Sequence, residues 1–181
     1  PGGHHEPMSD DAVDRAQRKP IIGIVGEFYV RANAFSNQDL IRQLERLGAE
    51  VWTAPIFEWF LYRNFRRDMR ARLIGDWKLV LKNRIVDGVM RQDEVRLAHG
   101  LHDLLDNAVE PSTDDVLELA APYVHKSFEG EAIMTVGKAI DFARKGLAGI
   151  VAVMPFTCMP GTVSNAILKR VREDEDSIPF P

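Results

Sequence analysis

Hydrophobic positions in this chain follow two different spacings, and the alternation between them outlines the fold. Short unbroken apolar runs rich in β-branched residues occur at residues 21–25 ("IIGIV") and 147–156 ("LAGIVAVMPF"). Runs of that length and composition predict strands buried on both faces, as in a parallel sheet. A third strand is predicted at residues 50–55 ("EVWTAP"). Between the first two strands in chain order, Leu40, Ile41, Leu44 and Leu47 recur at helical spacing. Ser36 or Asn37 can cap that helix, and Gly48 stops it. Strand, helix and strand in so short a span form a βαβ unit with a right-handed crossover.

From 57 to 108 the pattern changes. There is no proline, and apolar residues recur at i, i+3 and i+4 through most of the stretch, with Gly75, Gly88 and Gly100 as interruptions. This is too long for an ordinary connection between a strand and the next element. It predicts a helical hairpin or subdomain inserted beside the sheet. Trp59, Phe60, Tyr62, Trp77 and Leu81 are expected to pack in its core or between its helices. A short helix follows, capped by Ser112 or Thr113 and ended by Pro122. Another carries Ala132, Ile133, Val136 and Ile140 on its apolar side and closes at Gly146. A last helix follows "MPFTCMPGT", and the "IPF" at 178–180 reads as the beginning of a further strand.

These elements predict an α/β chain: a doubly wound parallel sheet of flavodoxin-like type with a long helical insertion at about 57–108, as a fragment lacking its final strand. Residues 1–18 are polar and read as a weakly ordered lead-in, and 19–181 as one α/β domain. Hydrophobic residues make up 45%, enough for a real core. The net charge of −4 does not suggest a nucleic-acid surface. The local run Arg63, Arg66, Arg67, Arg70 and Arg72 reads as a solvated helix face. One cysteine excludes an internal disulfide and suits a reducing, cytoplasmic compartment. No apolar run is long enough to span a bilayer, so no membrane association is expected.

Candidate chemistry gathers at two strand-to-helix junctions, where open α/β sheets bind ligands. After the first strand comes "GIVGEFYVRANAFSNQD". The dinucleotide fingerprint and the P-loop are both absent. Glu27, Tyr29, Arg31, Asn33 and Asn37 lie at the mouth. Arg31 can meet a phosphate or a carboxylate, or it can form a structural pair with Glu27. At the third strand's end, Cys158 precedes a helix with Pro160 in its first turn. A thiol there sees aligned N–H groups and the positive end of the helix dipole, which favour the thiolate and hence a soft-metal ligand. The plainer alternative is a small apolar residue at a strand end. His4 and His5 are adjacent tail histidines held by nothing. His99 and His102, with Asp103 and Asp106, read as a polar helix stripe. No G-x-S-x-G elbow is present.

The segments "PFTCMPGT" and "VGEFYVRAN", with "GEAIMTVGKA" and "EWFLY", resemble the 2-hydroxyacyl-CoA dehydratase-like proteins. The nearer likeness is to the domain attached to CoA-substrate-specific enzyme activases, and it covers roughly residues 19–171. The resemblance implies a flavodoxin-like domain, and in the full-length protein a [4Fe–4S] cluster with Cys158 as a metal ligand. Glu27, Tyr29, Arg31 and Asn33 match the family's loop and would line the cofactor and substrate cleft. The implied partners are an acyl-CoA-type small molecule and other domains or subunits of a dehydratase/activase (lyase) system. Departures are clear: there is no second cysteine and no ATPase signature, so the isolated piece is expected to be inactive. Two other readings remain open. One is a non-catalytic interaction module that docks an activase or dehydratase partner through the helical insertion. The other, ranked lowest, is a flavin or nucleotide binder.

Overall fold

The computed structural model describes residues 19–101 and 110–175. The elements in chain order are β1 (Ile21–Gly26), α1 (Phe28–Ala32), α2 (Leu40–Arg46), β2 (Glu50–Thr53), α3 (Phe57–Leu73), α4 (Trp77–Leu101), α5 (Thr113–Ala120), α6 (Glu131–Arg144), β3 (Gly149–Val153) and α7 (Met159–Asp174). The strands form one parallel sheet in the order β2-β1-β3, with Ile22 of β1 opposite both Val51 and Gly149. The protein is thus a mixed α/β fold. Residues 1–18, the candidate strand at 178–180, and His4, His5, His102, Asp103 and Asp106 lie outside the described residues. No described helix is long and apolar enough to cross a membrane.

The central strand explains the core. β1 is paired on both sides, so its Ile24 and Val25 are buried as the β-branched run predicts. Against this sheet lies α6, in which every residue from Ala132 to Ala143 is buried. A helix apolar nearly all round has to be enclosed. Here α5, α7 and the sheet enclose it. Gly137 makes the α5 contact possible: a Cβ there would fall well inside van der Waals contact of the Val116 carbonyl oxygen. Gly26 has φ +107°, and a Cβ there would collide with the Val153 backbone. Only glycine lets β1 turn out of the sheet this close to β3.

The first connection differs from the expected long loop. Residues 28–32 form α1, and α2 begins at Leu40 rather than at 37. The N-cap is Asp39, not Ser36 or Asn37, although Asn37 Oδ1 still accepts from the Leu40 N–H at 3.2 Å. The helical insertion is present as the α3–α4 hairpin, turned at Gly75 (φ +73°). Its core differs from expectation. Tyr62 is buried, but Phe60, Trp77 and Leu81 face solvent.

Candidate functional site

At the carboxyl ends of β1 and β2, α1, α3 and α6 converge on a cluster of charge. Its most enclosed member is Lys138, which is 1% exposed in the middle of α6. Its Nζ lies 2.9 Å from Glu58 Oε1 on α3 and 3.2 Å from Asp141 Oδ2, and it bonds Glu110 as well. Glu110 also accepts from Trp52 Nε1 at 3.2 Å, and Asp141 is shared with Lys145. Burial works against the Lys138 charge, but Glu58 and Glu110 outweigh it and hold its pKa above the ordinary lysine value. Burial raises Glu58, with Lys138 opposing. One cation among three carboxylates thereby fastens the hairpin, the segment before α5 and α6 to one another.

Beside this cluster lies the segment that follows β1. Arg31 is the loop residue that turns inward: it is 9% exposed, and its Nη1 donates to the Ala54 carbonyl at the end of β2 at 2.7 Å. Burial lowers its pKa, opposed by Glu58, Glu131 and Glu27. The other three loop residues shape the turn. Glu27 caps α1 by accepting from the Tyr29 and Val30 N–H groups at 3.1 and 2.8 Å. Asn33 donates to the Tyr29 hydroxyl and accepts from the Ser36 N–H. Arg31, Glu58, Glu131 and Lys138 line a cleft of about 20 Å³, room for a single water. Glu131, the first residue of α6, has its pKa pushed up to about 7. Burial is the main cause and Glu27 adds to it, while Arg31 and a backbone hydrogen bond from Phe28 oppose it.

Cys158 sits at the same end of the sheet but does not line this cleft. It is half-buried, unpaired, and the N-cap of α7, where its Sγ accepts from the Gly161 N–H at 3.4 Å. The thiol thus stands at the helix mouth, as its sequence context suggests. Among the described residues no group of three or more His, Cys, Asp or Glu is placed to hold a metal ion. The described residues thus bring no further His, Cys, Asp or Glu into a metal-holding group with Cys158.

A second feature lies on the hairpin, away from the cleft. The inner side of α4 is mixed: Asn83 is buried, and Asp87, Arg91 and Glu94 are half-buried together with Leu79, Val80 and Met90. Asn64 of α3 donates to the Asn83 carbonyl at 2.9 Å. The outer side is apolar: Trp77, Leu81, Ile85 and Val89 are 68%, 54%, 60% and 53% exposed. At the hairpin tip Leu73 and Ile74 are exposed as well.

Sequence reasoning placed Arg31 after the first strand and Cys158 at the start of a helix after the third, and both stand there in the structure. It missed the Lys138 cluster and the direction in which α4 faces. One signal for the former was available, since Lys138 stands in a largely apolar helix with Asp141 one turn on at i+3. No protein-family model, no curated protein and no solved structure matches this chain.

Proposed function

We propose that this chain is a non-catalytic docking module of a dehydratase/activase-type system, engaging its partner through the α3–α4 hairpin. The observation that carries the reading is the orientation of α4. A helix on a folded domain normally turns its apolar face to the core, whereas α4 leaves four large apolar residues, Trp77, Leu81, Ile85 and Val89, facing outward. Exposed apolar surface of this extent marks an interaction site. The identity of the system rests on the sequence resemblance. A photo-crosslinking residue at position 85 of the full-length protein tests the reading in cells. Adducts with a dehydratase or activase subunit, absent when the same residue replaces exposed Glu45, are the expected result. Adducts from position 45 alone, or from neither, would remove it.

A second reading keeps Cys158 as one ligand of a [4Fe–4S] cluster in the full-length protein. Its support is the half-buried, unpaired thiol that caps α7. The cluster would supply one-electron chemistry, and this chain would supply the Cys158 sulfur, which accepts from the Gly161 N–H at the start of α7. Glu27, Tyr29, Arg31 and Asn33 would shape the adjoining wall. Iron and acid-labile sulfide in the anaerobically reconstituted full-length protein test it. Loss of iron in Cys158→Ser supports ligation, and equal iron in both proteins sinks it.

A further inference from the structure

The outward seam of α4 has a definite shape. Trp77, Leu81, Ile85 and Val89 follow one another at four-residue intervals, about 18 Å along the axis at 1.5 Å per residue. That is a single i±4 ridge, the unit by which one helix packs into the groove of another. Lys78, Lys82 and the exposed Val86 border it on one side, and Arg84 and Gly88 on the other, so cations stand along both flanks. Gly88 adds a place for close approach, because a Cβ there would meet nothing within 4 Å.

Charge distinguishes among protein occupants. The hairpin from 57 to 97 carries ten Lys and Arg against six Asp and Glu, in a chain whose net charge is −4. Asp68, Asp87 and Asp93 are each engaged by an arginine of the same helix. Glu58 is held by Lys138, and Asp76 accepts from the Leu79 N–H at the start of α4. Arg63, Arg67, Arg70, Lys78, Lys82 and Arg84 are exposed and form no ion pair with a described residue. A second copy seated on this face would bring another basic hairpin against it. An acidic partner would meet both the ridge and its flanks.

We infer that the α4 ridge receives an amphipathic helix whose apolar stripe is bordered by Asp and Glu, supplied by a different protein. This rests on the docking-module reading and names its partner's chemistry. Trp77 is the anchor, since large aromatic residues dominate such contacts. The flanking cations give orientation and association rate more than affinity.

The test uses two synthetic helical peptides with leucines at four-residue spacing, one flanked by glutamates and its twin by lysines. Binding to the full chain is followed by fluorescence anisotropy. The glutamate peptide is expected to bind at least about tenfold tighter than the lysine peptide. Its affinity falls as salt rises. Ile85→Asp should abolish binding, and Lys78→Glu with Lys82→Glu should invert the preference. Circular dichroism and thermal unfolding confirm that each variant stays folded. Three results overturn the acidic-helix assignment while leaving a docking surface in place: Ile85-dependent binding with no charge preference, Ile85-dependent self-association in sedimentation, or Ile85-dependent binding to phosphatidylserine vesicles. If Ile85→Asp and Trp77→Ala change none of these, the docking reading falls as well.

Discussion

Lys138 Nζ lies 2.9 Å from Glu58 Oε1, joining the middle of α6 to the first turn of α3 across 80 positions of sequence. Both side chains are over nine-tenths buried. The pair therefore fixes the base of the hairpin to the sheet-covering helix, and the geometry of the outward ridge depends on it. Lys138→Met should destabilise the fold by about 3–5 kcal/mol, because Glu58, Glu110 and Asp141 lose their shared cation inside the protein. Chemical denaturation measures the loss. Adding Glu58→Gln should recover part of it, and an unchanged midpoint for Lys138→Met would show that the cluster does not hold the hairpin.

Glu131 predicts a pH dependence of opposite sign to the usual carboxylate. Its folded pKa is pushed up to about 7 from the ordinary 4.5, so the folded state binds the proton more tightly. Its contribution is complete below about pH 4.5 and is lost as pH rises through about 7. Because the group is partly solvated, the loss should be on the order of 1–2 kcal/mol. Glu131→Gln should match the wild type near pH 4.5 and exceed it in stability at pH 8. Parallel stability curves for the two proteins across that interval would refute the assignment.

The apolar ridge should contribute almost nothing to folding. Trp77→Ala and Leu81→Asp remove large apolar groups, yet both sites face solvent. Each change should leave the unfolding free energy within about 0.5 kcal/mol. A loss of 2 kcal/mol or more in thermal or denaturant unfolding would mean that these residues are covered in the folded chain.

Close packing at Gly137 predicts the reverse. Gly137→Ala improves helix propensity but drives a methyl group into the Val116 carbonyl, which is backbone and cannot swing aside. A net loss of about 1–3 kcal/mol is expected in denaturant melts. Gly88→Ala, with open space at its Cβ, should instead stabilise by about 0.5–1 kcal/mol. The contrast between the two glycines checks the α5–α6 contact directly.

Cys158→Ser should leave the fold as stable as before or a few tenths of a kcal/mol more so, since serine caps helices well. Its Sγ makes one long contact, to the Gly161 N–H. Any large effect of this substitution in the full-length protein would then report on what the thiol binds. Unfolding curves of the two proteins in the absence of iron check the premise.

Much of the local structure was written in the chain itself. The β-branched runs specify β1 and β3, because only a strand buried on both faces accommodates an unbroken run of that kind. Ser112 and Asp115 form a capping box at the start of α5, a device complete within four residues. Gly146 closes α6 with φ +76°. The helical hairpin was legible from its periodicity and its lack of proline. These features depend on neighbours a few residues away, so sequence spacing determines them.

Tertiary structure decided the rest. Periodicity shows that α4 has an apolar side but not whether anything covers it, and that depends on where α3 and α5 come to lie. Trp77 and Leu81 read as core from their spacing, yet the fold turns them outward. Lys138 has the helical context of a buried residue, but its partners Glu58 and Glu110 are distant in sequence and meet only when the hairpin docks. Arg31 could have paired with Glu27 four positions away. It instead reaches the Ala54 carbonyl, because closing β2 against β1 leaves that oxygen at the sheet's end without a strand partner. Contacts between elements depend on how the whole chain packs, and the spacing of residues along one element does not encode that.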